Sequence, residues 1–378
     1  MKVLVYVGYQ TPWLNKQLWI DKGLGGTEYC YIKLAEALHK QGHNVVVSGH
    51  VDEGVVDGIH YIPLEQLKKH QSPIGLKNNN KLRGYDHYNL VIAGQYINFH
   101  KELARKKITY DKSIFWVHNE DGWYNWYRGN VMSNDEINEG IRSTDKIVCV
   151  SEYHVGLIKD KLKTLGYTPQ YLNTYIQSID NAIDLDDWNN LTHPGDSSTH
   201  TTKIKGRIIW SSAPDRGLKT ILDNWADMKL DRPELTLTIA CPPYASDWDK
   251  GLVEQDGITY LGSLSPKLLK REQLKAEYWI YQSDYLETYC ITAVEMMIAN
   301  VKILTNGTGN IKHIIGEGDR GMIINNNPAS MRETMLMDIN DRSLARSWSI
   351  KTKHANEWAI KQTWDNRVNE WLDLIDTL

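Results

Sequence analysis

Short apolar runs rich in Val, Ile and Tyr recur along the chain with helical or irregular segments between them, and this alternation limits the fold more than any other feature. KVLVYV, residues 2–7, is followed by a polar, Gly-containing loop. Then comes TEYCYIKLAEALHKQGH, in which Tyr29, Ile32, Ala35 and Leu38 fall at helical spacing and Gly42 closes the helix. NVVVSG, residues 44–49, reads as the next strand, and YNLVIAG, SIFWVHN and KIVCVSE repeat the pattern. Near-continuous apolar strands joined through helices predict a parallel sheet with both faces covered.

The alternation stops at LTHPGDSSTHTTKIKG, residues 191–206, which is poor in apolar residues and rich in Ser, Thr, Pro and Gly. It resumes with RIIWSS, LTLTIAC, ITYLGS, YWIYQS, VKILTN and GMIIN. A chain of 378 residues is comfortable as two domains. The reading is therefore α/β with two Rossmann-like domains: residues 1–190, a linker at 191–206, and residues 207–359. Trp348, Trp358, Trp364 and Trp371 stand among charged residues in the tail, as in amphipathic helices. The helix at about 360–378 is expected to pack back on the first domain.

A net charge of -4 gives no general attraction for phosphate backbones or anionic lipid, which argues against a nucleic-acid partner. Cys30, Cys149, Cys241 and Cys290 lie far apart in apolar stretches with no metal-binding spacing, and read as buried reduced thiols. VLVYVGY is too short to span a bilayer and has no cleavage site after it, so the expected compartment is the cytoplasm, which leaves room for peripheral membrane contact. NLT at Asn190 and NGT at Asn306 match the glycosylation pattern but carry little weight in that compartment.

In open α/β sheets ligands bind beyond the carboxyl ends of the strands, and two such domains leave a cleft, so chemistry is sought in loops that follow strands. SDYLETYCITAVEMM, residues 283–297, follows YWIYQS and holds Glu287 in a strand-to-helix loop and Glu295 in the helix. Eight residues at 100° each place the two acids about 80° apart, able to face one site at the helix N-terminus. Unpaired N–H groups there suit a phosphate, while the acids could accept hydrogen bonds from sugar hydroxyls. The alternative is a loop acid capping the helix and a surface Glu within it.

The E-x7-E spacing in ETYCITAVE resembles the donor motif of GT-B glycosyltransferases, in particular the large retaining glycosyltransferase family 4, the group 1 type. The resemblance implies that Glu287 meets the transferred sugar, Glu295 meets the nucleotide ribose, and the backbone of Thr288, Tyr289, Cys290 and Ile291 holds phosphate. The family usually has Phe-Gly where this chain has Tyr289 and Cys290. GLGGTE resembles the family's Gly-Gly loop, giving Gly25 and Gly26 a role in close backbone approach to the diphosphate or acceptor. SSAPDRGLKTIL resembles the segment whose cations bind the diphosphate, with Arg216 first and Lys219 second. The common pattern has an earlier Arg, and here that place falls near Trp210 or Ser211, which leaves open whether one cation or two are used.

His118 in IFWVHNED stands where the family carries a His near the reacting sugar carbon. Ser151, Asn181 and Asp184 resemble residues that finish the first domain and read as architectural. LTNGTGNIKHIIGEGDRGMII resembles the Gly-containing segment after the E-x7-E helix, so the resemblance runs from about residue 1 to about 325. In GWYNWYRGN, Trp123 and Trp126 are candidates for an acceptor platform, with core packing as the alternative. Base recognition is expected around LGSLSP, residues 261–266.

The implied activity is transfer of a sugar from a nucleoside diphosphate donor, UDP or GDP, to a hydroxyl of a glycan or other acceptor. Retention would follow from front-face departure of the diphosphate, with His118, Glu287 and Arg216 as the catalytic set. The acids do not read as a hydrolase pair, and no Asp-x-Asp metal ligand stands out, so transfer without a metal and without a bound cofactor is expected. A sugar-nucleotide epimerase of the same form and a non-catalytic carbohydrate-binding protein are the alternatives. A nicotinamide oxidoreductase is disfavoured because YVGYQTPW lacks the G-x-G-x-x-G turn.

Overall fold

Every apolar run named from the sequence forms a strand. The computed structural model describes residues 1–8, 23–67, 86–120, 123–125, 130–189, 191, 202–242, 245, 248, 250–325, 327–340 and 342–378. In chain order the strands are β1 (Lys2–Gly8), β2 (Asn44–Gly49), β3 (Gly54–Val56), β4 (Ile59–Pro63), β5 (His87–Gly94), β6 (Thr109–Val117), β7 (Tyr124–Asn125), β8 (Asn130–Val131), β9 (Lys146–Cys149) and β10 (Ile176–Ser178). They continue with β11 (Arg207–Trp210), β12 (Thr236–Ala240), β13 (Ile258–Gly262), β14 (Tyr278–Tyr281), β15 (Lys302–Thr305) and β16 (Met322–Ile323).

The first sheet has the order β10-β9-β6-β5-β1-β2-β4-β3 and the second β13-β12-β11-β14-β15-β16. Neighbours are parallel throughout, apart from the edge strand β3, which runs antiparallel to β4. Parallel neighbours need crossovers, and the helices that supply them cover both faces. Val3 to Val7 of β1 are consequently all buried. Each buried Val or Ile is worth about 1.5–3 kcal/mol relative to exposure, which holds the strand in register.

The sequence reading missed the β3–β4 hairpin. Its two-residue turn, Asp57-Gly58, has φ of 51° and 82°, the positive pair that a tight hairpin requires. Also missed were β10 and the small β7–β8 pair.

Contacts divide the chain into Met1–Lys16, Gly26–Asn181 and Trp364–Leu378 on one side, and Gln17–Gly25 with Ala182–Thr363 on the other. The break at Ala182 comes before the 191–206 segment read as a linker. That segment falls mostly outside the described residues, and Asp186–Asn189 form a short helix ahead of it. The last helix, Trp364–Asp376, belongs to the first unit, where Trp371 packs edge-on to Trp116 of β6 with ring centroids 5.0 Å apart.

Helix starts are set by local chemistry. Ser133 and Glu136 form a capping box on the helix Asn134–Arg142. Ser151 Oγ accepts the His154 N–H at 3.1 Å and caps Glu152–Thr164. Asp184 Oδ1 accepts from the Asp186 N–H at 3.0 Å, and Asn181 is buried. The four cysteines are free and buried. Among the described residues no helix is long and apolar enough to cross a membrane.

Candidate active site

Three loops meet at the carboxyl ends of the second sheet. After β11, Pro214–Arg216 make one 3-10 turn that ends at Gly217 with φ 115°. A Cβ on Gly217 would come within 2.0 Å of the Gln282 carbonyl oxygen. Glycine alone lets the β11 loop press this closely on the loop leaving β14. Arg216 and Glu287 are thereby joined, Nη1 donating to Oε1 at 3.0 Å. The guanidinium also lies over the Tyr285 ring, 4.1 Å from its centroid.

Glu287 is buried, and the Tyr281 hydroxyl donates to the same Oε1. Tyr281 is itself held by stacking on Trp210 and Trp279, with centroids 5.6 and 4.8 Å away. Burial, and then the Glu287 charge, push the tyrosine hydroxyl well above its ordinary pKa. It therefore remains a donor across the physiological range.

The third loop follows β15. Gly309 has φ 69°, and a Cβ there would lie 2.6 Å from the backbone nitrogen and oxygen of Glu287. Next to it, the Asn310 N–H donates to the Glu287 carbonyl at 2.7 Å, and Asn310 Nδ2 donates to the Tyr289 carbonyl at 3.3 Å. Asn306 Nδ2 donates to the Ser283 carbonyl at 2.8 Å. The segment carrying Glu287 is thus braced through its backbone, which leaves the side chain positioned by Arg216 and Tyr281.

Cys290 opens the helix Ile291–Ile298 in a left-handed conformation, φ 78° and ψ 72°, which is costly for any residue with a Cβ. This is where the family pattern has Gly, so the departure noted in the sequence is accommodated as backbone strain. Burial, and then Glu287, hold the thiol well above its usual pKa, and Cys290 is no nucleophile here. Thr288 and Ile291 are half-buried and Tyr289 is buried, all at the start of a helix whose first N–H groups have no intrahelical acceptor.

Glu295 lies in the same helix and accepts from Gln273 Nε2 at 3.0 Å. The residue keeps some surface while its carboxyl end is enclosed, and burial raises its pKa against the opposing charge of Lys270. Lys219 is not brought to this group. Its side chain is 76% exposed and pairs with Asp223 at 2.5 Å. Gly25 is buried at the end of the second unit's first segment, and Gly26 begins the helix Gly26–Lys40 in the first unit.

In the first unit His118 follows β6, 5% exposed, with its ring 4.3 Å from Trp116 and edge-on to Tyr31 at 5.3 Å. Burial, and then His154, keep its pKa well below the usual value, so the imidazole is neutral. His154 Nδ1 accepts from the Val150 N–H at 3.3 Å, which puts the ring proton on Nε2, where it donates to the Asn119 carbonyl at 3.0 Å. This bond ties the loop after His118 to the start of the helix Glu152–Thr164.

Trp123 corrects the expectation of an acceptor platform. It is 1% exposed and packs on Phe115 within a core cluster, with ring centroids 6.4 Å apart. Trp126 lies outside the described residues. The sequence reading missed Tyr281, Tyr285, Lys270, Gln273 and His154. Tyr281 carried a weak signal, a hydroxyl at the end of a wholly apolar strand. Lys270 and Gln273 carried another, an i,i+3 polar pair on the helix face turned to the core.

Residues 210–355 match the family described as Glycosyl transferases group 1. No curated protein matches the chain in sequence. Sucrose-phosphate synthase from Thermosynechococcus elongatus superposes with a TM-score of 0.67 at 13% identity, over 100% of this chain and 99% of that one. The catalytic domain of starch synthase IV from Arabidopsis thaliana, bound to ADP and acarbose, gives 0.68 at 14%, covering 100% and 99%. HepE from Anabaena, in complex with UDP and glucose, gives 0.65 at 12%, covering 99% of each chain. At such identities the likeness speaks for the fold, which is GT-B. The group 1 match lies wholly within the second unit.

Proposed function

We propose that the chain is a retaining, family 4-like glycosyltransferase that moves a sugar from a nucleoside diphosphate donor, UDP or GDP, to a hydroxyl of a glycan or other acceptor, and that it works in the cytoplasm. The observation that carries this reading is the Arg216–Glu287 pair, 3.0 Å apart beside the start of the helix Ile291–Ile298. Neighbours of the same fold with UDP and glucose, or with ADP, in their structures support the donor class.

In the transfer the bond from the anomeric carbon to the phosphate oxygen breaks and a bond to the acceptor oxygen forms on the same face. The departing phosphate oxygen takes the acceptor proton. Negative charge grows on the diphosphate as its bond to the anomeric carbon breaks and before that proton arrives, and Arg216 and the helix N–H groups of residues 289–291 oppose it. A guanidinium has five N–H donors, so the bond to Glu287 leaves it able to bind phosphate as well. Glu287, fixed by Arg216 and Tyr281, orients the sugar, and Glu295 accepts from ribose hydroxyls. His118 is the remaining member of the catalytic set, as a neutral imidazole. A metal is not required by this scheme.

A thermal-shift series with UDP, GDP and ADP, followed by NMR of the product made from the matching nucleotide sugar, tests the reading. A ligand at 100 times its dissociation constant adds about 2.7 kcal/mol of stability, enough to see. Silence from all three nucleotides would sink the donor site. A product of opposite anomeric configuration would overturn retention, and activity lost to chelator and restored by a divalent ion would overturn metal independence. Glu295→Ala is expected to weaken nucleotide binding, and Glu287→Ala to lower turnover more than affinity.

A further inference from the structure

Beside Glu295 lies a group of buried polar side chains that the transfer scheme does not use. Lys270 and Gln273 are the buried side chains of the helix Pro266–Lys275. Lys270 Nζ pairs with Asp187 Oδ2 at 3.0 Å, with side-chain exposures of only 7% and 19%, and lies 5.7 Å from the Trp188 ring centroid. Gln273 turns its Nε2 to Glu295, while its Oε1 is buried with no hydrogen-bond partner among the described residues. An orphaned buried carbonyl costs about 1–3 kcal/mol, so the amide is held in this orientation by the carboxylate it meets.

We propose that Gln273, whose amide meets the carboxylate, and Lys270, which precedes it by about one helical turn on the same buried face and is tied to Asp187, are positioning residues for Glu295 that keep its carboxylate a fixed hydrogen-bond acceptor for the donor ribose. The inference rests on the donor-site reading and extends it to residues that do not themselves touch the nucleotide. Its physical basis is a conflict. A carboxyl enclosed by protein favours its neutral form, and a neutral carboxyl offers a poorer acceptor to two hydroxyl donors. Burial, the first cause, and the negative charge of Asp187 both push Glu295 up, while Lys270 and the Gln273 amide push it down. Lys270 is tied to Asp187, so its charge stays in place when the nucleotide leaves. A second acid is thereby used to anchor the cation that serves the first.

Isothermal titration of the full chain with UDP, GDP and ADP, and with their 2′,3′-dideoxy counterparts, from about pH 6 to about pH 9 tests this. The variants are Lys270→Met, Asp187→Asn, the double variant and Gln273→Leu. In the wild type the ribonucleotide is expected to bind better than its dideoxy counterpart. Lys270→Met should lose about tenfold in ribonucleotide affinity near pH 7 and recover part of it toward pH 9, because the carboxyl then ionises at higher pH. Its dideoxy affinity should stay level, a result that general damage to the fold would not give. Asp187→Asn should move the pH profile the other way. The double variant should fall between the two, which also covers the case in which Lys270→Met alone leaves Asp187 too poorly compensated to fold. Gln273→Leu should lose several-fold in ribose discrimination.

If the wild type binds none of the nucleotides, the donor reading fails and takes this inference with it. If the wild type discriminates by ribose and the variants keep both the discrimination and its pH profile, the donor reading stands and the positioning role is overturned. Equal loss for ribo and dideoxy nucleotides across the variants would make the cluster structural only and would overturn it too.

Discussion

The two units place polar groups after parallel strands in opposite ways. In the second unit charged groups are partnered across elements: Arg216 with Glu287, Lys270 with Asp187, and Glu295 with the Gln273 amide that donates to it. In the first unit three ionisable groups, His118, His154 and Glu28, are buried and held toward their neutral forms. His118 and His154 are depressed by burial, and Glu28, in the first turn of the helix Gly26–Lys40, has its pKa raised by burial to about 7. A site that meets a diphosphate needs charges held ready, and pairing keeps such charges from neutralising themselves. A region that stays neutral can be packed with aromatic rings, as Tyr31 and Trp116 pack on His118.

Removing a paired charge from the second unit gives the largest expected effect. Arg216→Ala should lower kcat/KM by about 100- to 1,000-fold, the usual cost of losing a donor aimed at developing charge. The same change strips a buried Glu287 of its cation, and Arg216→Lys should recover only part, since a point charge cannot both bond Glu287 and keep the planar contact with Tyr285. A loss under about tenfold in steady-state assays would break the contrast between the units.

Glu28→Gln tests the neutral unit. Between the ordinary carboxyl pKa of 4.5 and about 7, folded Glu28 keeps a proton that the unfolded chain releases. Stability therefore falls as pH rises through that window. The amide removes this loss, so the variant should gain up to about 3 kcal/mol above pH 7 and nothing near pH 4 in denaturant titrations. A gain that did not depend on pH would show that Glu28 is not the buried acid it is read as. His154 works in the other direction. Its folded pKa of about 4 lies below the ordinary 6.5, so its contribution is complete above 6.5 and is lost as pH falls toward 4.

Tyr281→Phe should have a smaller effect, about tenfold in turnover with nucleotide affinity little changed, because Glu287 keeps Arg216 and loses one neutral donor. The smallest belongs to Cys290. Cys290→Gly relieves the left-handed backbone but removes a buried side chain, and the melting free energy should change by less than about 1 kcal/mol. Cys290→Val, β-branched at the same φ, should cost about 2 kcal/mol or more.

Much of the fold could be read from the chain alone. Apolar runs of parallel-strand type name themselves, because a strand covered on both faces cannot tolerate polar side chains at either parity. Hairpin β3–β4 escaped because its strands are short and β3 carries no buried residue, although its Asp57-Gly58 turn was in plain view. The E-x7-E spacing and Arg216 were legible because a helix N-terminus and a cation after a strand are local features. Trp123 was misjudged because an aromatic ring suits a core and a sugar platform equally well, and only burial separates them.

What the sequence determined by itself was therefore the layer architecture, the candidate acids and the cation, since each depends on residue type and short-range spacing. The tertiary structure decided who meets whom. Gly217 and Gly309 let three distant loops approach within backbone contact, which joined Arg216 to Glu287 and set Tyr281 beneath them. The crossing of two helices put Gln273 on Glu295, and a short helix put Asp187 on Lys270. Such pairings rest on long-range packing, and no local pattern encodes a distance between residues that the chain itself keeps far apart.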